Sequence, residues 1–289
     1  MLRVKVDIEV VFKDCNLYIT WGYTNTANRV ITGASKMLST IILLGLLSFI
    51  RAGEATREVS PRISSGSEAQ IQQYPYLVSL DQALGGSELH YCTGAVIGDL
   101  WVLTSARCTT SEQASSLVVR AGGGSPGQGA RHEAALVLTH PSYTSVDEPQ
   151  NDIGLIKVKT PFSYSASLQA AKLPSANSSL AAGAVSTVVG WGRQGSGGQA
   201  LVPRAVTASL VSNQECSRDF QQGLITDGNI CADSLRASGK VAEADSGSPV
   251  VVAGTLVGVV SWTSDYIAYY NIYANVSTYR SWIYSQTGV

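Results

Sequence analysis

Short apolar runs, separated by clusters of glycine, serine, proline and asparagine, recur through most of this chain. Each run spans only a few residues and is either apolar throughout or alternates apolar with polar side chains, which is the pattern of β-strands. Many short strands joined by tight turns predict an all-β sandwich or barrel. The runs cover residues 76–80, 91–97, 101–104, 117–120, 134–138, 153–158, 185–189, 206–210, 250–252, 256–262 and 272–276.

The end of the chain follows a different pattern. Residues 277–284 start with Ser-Thr and then place apolar residues at helical spacing, which predicts a short C-terminal helix.

The composition is that of a globular protein without an excess of either charge. Hydrophobic residues make up 45% of the chain, enough for one large domain with a substantial core. The net charge is -1, only 14% of residues are charged, and no block of lysine and arginine is present, which argues against a nucleic-acid partner.

A candidate secretory signal lies near the N-terminus. Residues 37–55 form an apolar run that ends in small residues, which predicts a signal peptide cleaved near Ala52 or Ala55. A signal anchor or a buried strand is the alternative, but the run is shorter than the roughly 20 residues of a membrane span. Because a signal peptide starts a chain, we expect translation to begin at Met37 and residues 1–36 to be a gene-model extension. The mature protein is then secreted and extracellular, with no membrane segment.

Five cysteines are present, and removal of the leader removes Cys15. The remaining four are an even number in a secreted chain, which favours two disulfides. Four cysteines allow three pairings. We expect the pairing between sequence neighbours, Cys92 with Cys108 and Cys216 with Cys231.

Residues 243–250 read Glu-Ala-Asp-Ser-Gly-Ser-Pro-Val, a sharp turn that presents one serine hydroxyl. The stretch resembles the Gly-Asp-Ser-Gly-Gly-Pro motif of the trypsin/chymotrypsin-like (S1) serine proteases. Residues 101–108, Trp-Val-Leu-Thr-Ser-Ala-Arg-Cys, are similar to the family's Trp-Val-Leu-Thr-Ala-Ala-His-Cys. Further landmarks occur in family order at residues 91–97, 151–158, 190–192 and 261–262.

This resemblance implies a trypsin-like domain over residues 63–289, built from two packed six-stranded antiparallel β-barrels with the active site in the cleft between them. Residues 56–62 are then a short propeptide. Arg62 and Ile63 resemble the family's activation junction, where cleavage frees an amino group that pairs with the aspartate before the serine, here Asp245. The usual Ile-Val-Gly-Gly is Ile-Ser-Ser-Gly here, so a plain linker is the alternative.

The resemblance assigns the nucleophile to Ser246 and the orienting carboxylate to Asp152, but Arg107 stands where the family has its histidine base. A serine hydroxyl needs a base to take its proton. Arginine stays protonated and has five donors and no acceptor. Loss of the base costs on the order of a million-fold in turnover. Asp152 is then free to form a charge pair with Arg107.

The three histidines of the chain are His90, His132 and His140. His90 resembles a family histidine near the cleft with a structural role, and the other two lie away from the motif positions. A core or surface role is favoured for each over the role of a base.

The oxyanion region has also changed. Ala244 replaces a glycine whose amide helps, beside Ser246, to bind the developing oxyanion in the family. A side chain there disfavours the required backbone conformation, and the loss of one donor costs roughly a hundred-fold or more.

The specificity pocket departs from the trypsin pattern at its floor and walls. Lys240 or Val241 occupies the place of the pocket aspartate, so a preference for arginine or lysine is not supported. Thr263 and Asn271 replace wall glycines and are expected to crowd the pocket. The disulfide that braces this pocket in the family is absent as a pair, since Ala242 takes the place of one cysteine.

Asn177 and Asn275 begin glycosylation sequons, and Asn177, in a polar loop, is the better candidate. No metal site is expected from three scattered histidines without a compact acidic cluster, and no cofactor is implied.

Together these departures predict a secreted, monomeric, catalytically inactive serine-protease homologue. It would act as a regulator, decoy or inhibitor by binding a protein partner such as a protease, an inhibitor or another secreted enzyme. The alternative is an active endopeptidase that uses Ser246 and Asp152 with an unconventional base. A carbohydrate or surface ligand in the altered cleft is a third possibility without a sequence signature.

Overall fold

The structure is a computed structural model that describes residues 5–13, 16–24, 30–33, 66–110, 112–145, 148–192, 199–238, 241, 245–263 and 270–289. The chain divides into two units, Met1–Val59 and Ser60–Val289. The predicted signal peptide at 37–55 and the propeptide at 56–62 lie outside the described residues.

The first unit contains a three-stranded antiparallel sheet of β1 (Lys5–Lys13), β2 (Asn16–Thr24) and β3 (Val30–Gly33), in that order. The register of β1 on β2 runs from Lys5 opposite Thr24 to Lys13 opposite Asn16. This sheet lies within residues 1–36, a region in which no strand is predicted from the sequence.

The second unit begins with the two-residue strand β4 (Ser67–Glu68) and then forms a closed six-stranded barrel. Its strands are β5 (Leu77–Leu84), β6 (Ser87–Gly98), β7 (Trp101–Thr104), β8 (Leu117–Gly122), β9 (Gly129–Thr139) and β10 (Gly154–Val158). All pairings around this barrel are antiparallel, in the order β10-β7-β6-β5-β8-β9.

A second barrel follows, with the strands β11 (Val185–Gly190), β12 (Arg204–Val211), β13 (Asn229–Asp233), β14 (Pro249–Val252), β15 (Thr255–Thr263) and β16 (Tyr270–Asn275). The strand order is β11-β14-β15-β16-β13-β12, and a β11–β12 pairing closes the ring. The strand β4 adds to its edge at β12. Two closed six-stranded antiparallel barrels confirm the fold that the motifs imply.

Tight turns set the register of two hairpins. Gly85 and Gly86 join β5 to β6 with φ values of 57° and 93°, and Ala253 and Gly254 join β14 to β15 with 47° and 76°. Positive φ at both central residues is the geometry of a type I′ turn, whose twist matches that of antiparallel strands. Glycine adopts this backbone without steric cost.

Both disulfides have the pairing expected from the sequence. Cys92 is bonded to Cys108 with a Cα–Cα distance of 6.1 Å, and Cys216 to Cys231 with 6.3 Å. The first ties β6 to the turn after β7, and the second ties β13 to the helix α1 (Asn213–Cys216).

The C-terminal helix α2 spans Arg280–Thr287, three residues later than the start predicted from residue 277. The chain first makes a turn, because the Asn275 side chain accepts a hydrogen bond from the Ser277 N–H at 3.2 Å and the Asn275 carbonyl accepts from the Thr278 N–H at 3.1 Å. Gly288, with φ of 74°, ends the helix. Among the described residues no helix is long and apolar enough to cross a membrane.

Candidate active-site cleft

Asp152 lies just before β10, and its carboxylate is 2% exposed. Its Oδ1 accepts a hydrogen bond from the main-chain N–H of Arg107 at 2.9 Å, and its Oδ2 accepts from the Ser261 hydroxyl at 2.6 Å. Since Ser261 belongs to β15, this carboxylate connects the two barrels. Burial raises the pKa of Asp152 above its usual value, and the hydrogen bonds from Ser261 and Arg107 oppose this increase only in part.

The loop that carries Asp152 is fixed by its neighbour Asn151, which has a left-handed backbone with φ of 52°. The Asn151 side chain donates to the Ser142 carbonyl at 2.9 Å and accepts from the Tyr279 hydroxyl at 3.2 Å. These bonds anchor the turn on both sides, so Asp152 has a defined position.

Arg107 lies in the single 3-10 turn Ala106–Cys108 that follows β7. The turn is held by the buried Cys108, by its disulfide and by the bond from the Arg107 N–H to Asp152. The Arg107 side chain is exposed, and it lies close enough to the Tyr143 hydroxyl to influence the pKa of that group. Burial, and then Asp152, raise the pKa of Tyr143, whereas Arg107 lowers it, with a net increase.

The charge pair suggested for Arg107 and Asp152 is replaced by a different contact. The main-chain N–H of Arg107 holds the carboxylate, and the guanidinium is not within ion-pair distance of any carboxylate among the described residues. The reason is that the other oxygen of Asp152 already accepts from Ser261, inside a site closed to solvent.

Ser246 lies in the tight turn between Asp245 and Ser248 and is 4% exposed. The Ser248 N–H donates to the Asp245 carbonyl at 2.8 Å, and the Thr93 N–H donates to the Ser246 carbonyl at 3.1 Å. Thr93 belongs to β6, so the serine turn of the second barrel is bonded to the first. The structure therefore brings Ser246, Asp152 and Arg107 to the same junction of the two barrels.

The turn depends on Gly247, which has φ of 79°. A Cβ atom at this position would overlap the Thr104 hydroxyl and the Thr93 carbonyl and would lie 3.1 Å from the Ser105 nitrogen. Ser105 directly precedes the 3-10 turn of Arg107. Only glycine allows the serine turn to approach this closely.

Asp245 is fully buried, and its carboxylate lies against Gly192, where a Cβ atom would overlap both carboxylate oxygens. Gly192 belongs to the Gly-Trp-Gly landmark of the sequence. The proposed activation partners Arg62 and Ile63 lie outside the described residues, as does Ala244 of the oxyanion region.

Thr263 and Asn271 are paired directly across β15 and β16. Asn271 is 2% exposed, and Val241 is buried within the apolar core of the second barrel. Two non-glycine side chains therefore occupy the positions assigned to the pocket walls. Lys240, the other candidate for the pocket floor, lies outside the described residues.

The three histidine rings are held by partners other than Asp152. His90 Nδ1 lies 2.6 Å from the Ser79 hydroxyl, and His132 Nδ1 lies 3.1 Å from the Thr160 hydroxyl. His140 Nδ1 accepts from the Ser142 N–H at 3.2 Å. Each ring is therefore positioned by a local hydrogen bond, as a structural histidine would be.

Tyr143 and Ser261 are site residues that the motif analysis did not assign. Ser261 stands in the Ser-Trp landmark, which locates this residue in the family pattern but does not indicate what its hydroxyl contacts. Tyr143 follows His140 by three residues in a loop, and no local pattern indicates that it contacts Arg107. Tertiary structure alone brings these two side chains to the cleft.

The two sequons differ in accessibility. Asn177 is exposed at a turn with φ of 53°. The Asn275 amide is half-buried, donates to the Asp227 carbonyl at 3.0 Å and accepts from Ser277. In the part of the chain that the structure describes, no cluster of three or more metal-ligating side chains is present.

Comparison with known proteins assigns the family. The family model for Trypsin matches residues 63–283. Trypsin alpha of Drosophila erecta is 37% identical over 262 residues, covering 86% of this chain and 98% of the relative. The trypsin of Phaedon cochleariae is 32% identical over 241 residues, covering 80% and 92%. The solved structure of HL collagenase has a TM-score of 0.67 at 28% identity and covers 78% of this chain and 98% of that one. This chain therefore belongs to the trypsin-like S1 serine protease family.

Proposed function

We propose that this protein is a secreted, catalytically inactive member of the trypsin family that acts by binding a protein partner, as a regulator, decoy or inhibitor. The observation that carries the proposal is the position of Arg107. The main-chain N–H of Arg107 donates a hydrogen bond to Asp152, but the side chain is an exposed guanidinium, which has no atom that can accept a proton.

Proton transfer from Ser246 requires an acceptor within hydrogen-bond reach. Arg107 cannot accept a proton at physiological pH. The three histidines are engaged with Ser79, with Thr160 and with the main chain of Ser142. These contacts support an inactive cleft.

The scaffold is retained where the chemistry is changed. Both disulfides, both barrels and the close contact at Gly247 are present. A folded cleft that has lost its base still offers two barrel rims and their loops for binding. The two disulfides also support an oxidising, extracellular location.

The competing function is an active endopeptidase with an unconventional base, and the bonds from Arg107 N–H and Ser261 to Asp152 favour it, since they preserve an oriented carboxylate. Casein hydrolysis separates the two functions. The full chain is first treated with immobilised trypsin to cleave after Arg62 and is then assayed beside an identically treated Ser246→Ala variant. We expect no difference between the two, and hydrolysis that disappears in the variant would refute the proposal.

A further inference from the structure

The Arg107 guanidinium is a positive charge at the cleft that forms no ion pair with a carboxylate among the described residues. Its main chain is fixed by Asp152 and by the disulfide of Cys108, so the side chain leaves from a rigid point. By contrast, Arg120 and Arg131 each form an ion pair with Glu88, at N–O distances of 2.5 and 2.8 Å. Arg107 has no such carboxylate partner among the described residues.

Asp152 does not neutralise this charge through a direct contact. One carboxylate oxygen accepts from the Arg107 main chain and the other from Ser261, and the group is almost fully buried. A guanidinium has five N–H donors. Because the Arg107 side chain is exposed, its donors are accessible to a ligand that enters from solvent.

Tyr143 lies beside the guanidinium. Arg107 acts to lower the pKa of the Tyr143 hydroxyl, and the Tyr143 main-chain N–H donates to the His140 carbonyl at 2.9 Å, so the tyrosine belongs to an ordered turn that limits the space open to the arginine side chain. A restrained arginine loses less entropy when it binds than a free one does.

We infer that Arg107 is an anchor for a carboxylate, presented by an aspartate or glutamate side chain of the partner protein, at the position where an active relative would hold its base. The inference rests on the proposed function, since it requires the cleft to bind a partner without cleaving it. The planar fork of the guanidinium matches a carboxylate through two parallel hydrogen bonds, which gives both charge and geometric selectivity.

The test uses the full chain with 15N-labelled arginine and follows the Arg107 Nε signal by NMR. The probes are the tripeptides acetyl-Ala-Glu-Ala-amide and acetyl-Ala-Gln-Ala-amide, which differ only in the charged group. We expect a saturable shift of the Arg107 signal and binding at least about tenfold tighter for the glutamate peptide than for the glutamine peptide. The Tyr143→Phe variant, which removes the hydroxyl beside the guanidinium, should weaken the binding of the glutamate peptide a few-fold.

Two charge-matched variants complete the experiment. Arg107→Gln should bind both peptides equally, and it retains the main-chain N–H that holds Asp152. Arg236→Gln removes an arginine whose side chain is 87% exposed and pairs with Asp233 at 3.8 Å, and it should keep the preference for glutamate. Equal affinity of the wild-type protein for the two peptides, or a preference that survives in Arg107→Gln, would overturn the inference.

Failure of this inference can be told apart from failure of the proposed function. A protein that hydrolyses casein through Ser246 refutes the proposed function, whatever the titration gives. A protein that is inactive but whose Arg107 signal does not distinguish the two peptides refutes the carboxylate anchor alone.

Discussion

The main chain and the side chain of Arg107 have separate roles. The N–H donates to Asp152 and fixes the position of this segment against the carboxylate. The side chain replaces an imidazole, which exchanges protons, by a guanidinium, which only donates hydrogen bonds. A single substitution can therefore change the chemistry of the cleft while it leaves the local fold intact.

The contribution of Asp152 to stability should fall as the pH rises, whereas that of a carboxylate stabilised by an ion pair increases with pH. Because burial raises its pKa, the folded protein holds a proton at pH values where the unfolded chain has lost it. Its contribution to stability is complete below the usual pKa near 3.8 and is lost as the pH rises through the higher folded value. We predict that the free energy of unfolding of the wild type, relative to that of Asp152→Asn, falls over this rise in pH.

Urea unfolding of both proteins at a series of pH values measures this difference directly. The expected slope is negative and no steeper than about 1.4 kcal/mol per pH unit for one group. A difference that increases with pH would mean that the folded pKa is lowered, as for a carboxylate held ionised by the Arg107 charge, and would contradict this description of the site.

The sequence could identify Ser246, Asp152 and Arg107, because each stands in a contiguous motif of several residues. It could not assign Ser261 as a donor to Asp152, or Tyr143 as a partner of Arg107. These contacts join segments separated by 109 residues in the first case, and depend on how the barrels meet. A motif identifies residues that are contiguous in the sequence, whereas these hydrogen-bond partners are distant in the sequence and meet only in the folded protein.

At the scale of elements, the serine turn has no room for added volume at Gly247. Gly247 and Gly254 both have positive φ, 79° and 76°, but only Gly247 has neighbours that a Cβ atom would overlap. In a Gly254→Ala variant, the free energy of unfolding should fall only by the cost of placing alanine in a left-handed backbone, about 1–2 kcal/mol. We predict that Gly247→Ala lowers the free energy of unfolding by at least about 2 kcal/mol more than Gly254→Ala does, since the added methyl group must displace strand backbone.

The free energy of unfolding of the two alanine variants, measured in urea under the same conditions, gives the comparison. Equal losses would show that the turn of Ser246 is not packed against Thr93 and Thr104 as described.

Strand prediction succeeded for the apolar runs of the two barrels, but it missed β13 and the three strands within residues 1–36. The runs at 101–104 and 256–262 lie within β7 and β15. The strand β13, Asn229–Asp233, is absent from the prediction because asparagine and aspartate stand at its ends and disfavour strands in isolation. Its place is set by pairing with β16 and by the Cys216–Cys231 disulfide.

At the scale of the whole second unit, Ser60–Val289, one apolar cluster joins the two barrels. It contains Ile97 and Leu155 of the first barrel, Val259 and Ala274 of the second, and Ile283 of the C-terminal helix. The helix therefore covers the junction of the barrels, and the relative position of Asp152 and Ser261 depends on this packing.

Adjacent residues of α2 provide a matched test of that role. Ile283 is fully buried, whereas Tyr284 is 65% exposed. We predict that Ile283→Ala lowers the free energy of unfolding by about 2–5 kcal/mol, and that Tyr284→Ala changes it by less than about 0.5 kcal/mol. Thermal or urea unfolding measures both, and a loss of similar size in the two variants would contradict a helix that closes the junction.

The most direct test of the central claim, that the cleft is chemically silent because of Arg107, is labelling of Ser246 by a fluorophosphonate probe, read by intact mass. The full chain, Arg107→His and Arg107→His with Ser246→Ala are treated with immobilised trypsin beside a trypsinogen control. We predict that the control is labelled and the wild type is not. Arg107→His, which places an imidazole beside the oriented Asp152, should label at least about a hundred-fold faster than the wild type, and only through Ser246. Labelling of the wild type at a rate near that of the control, or no gain in a folded Arg107→His variant, would contradict the account.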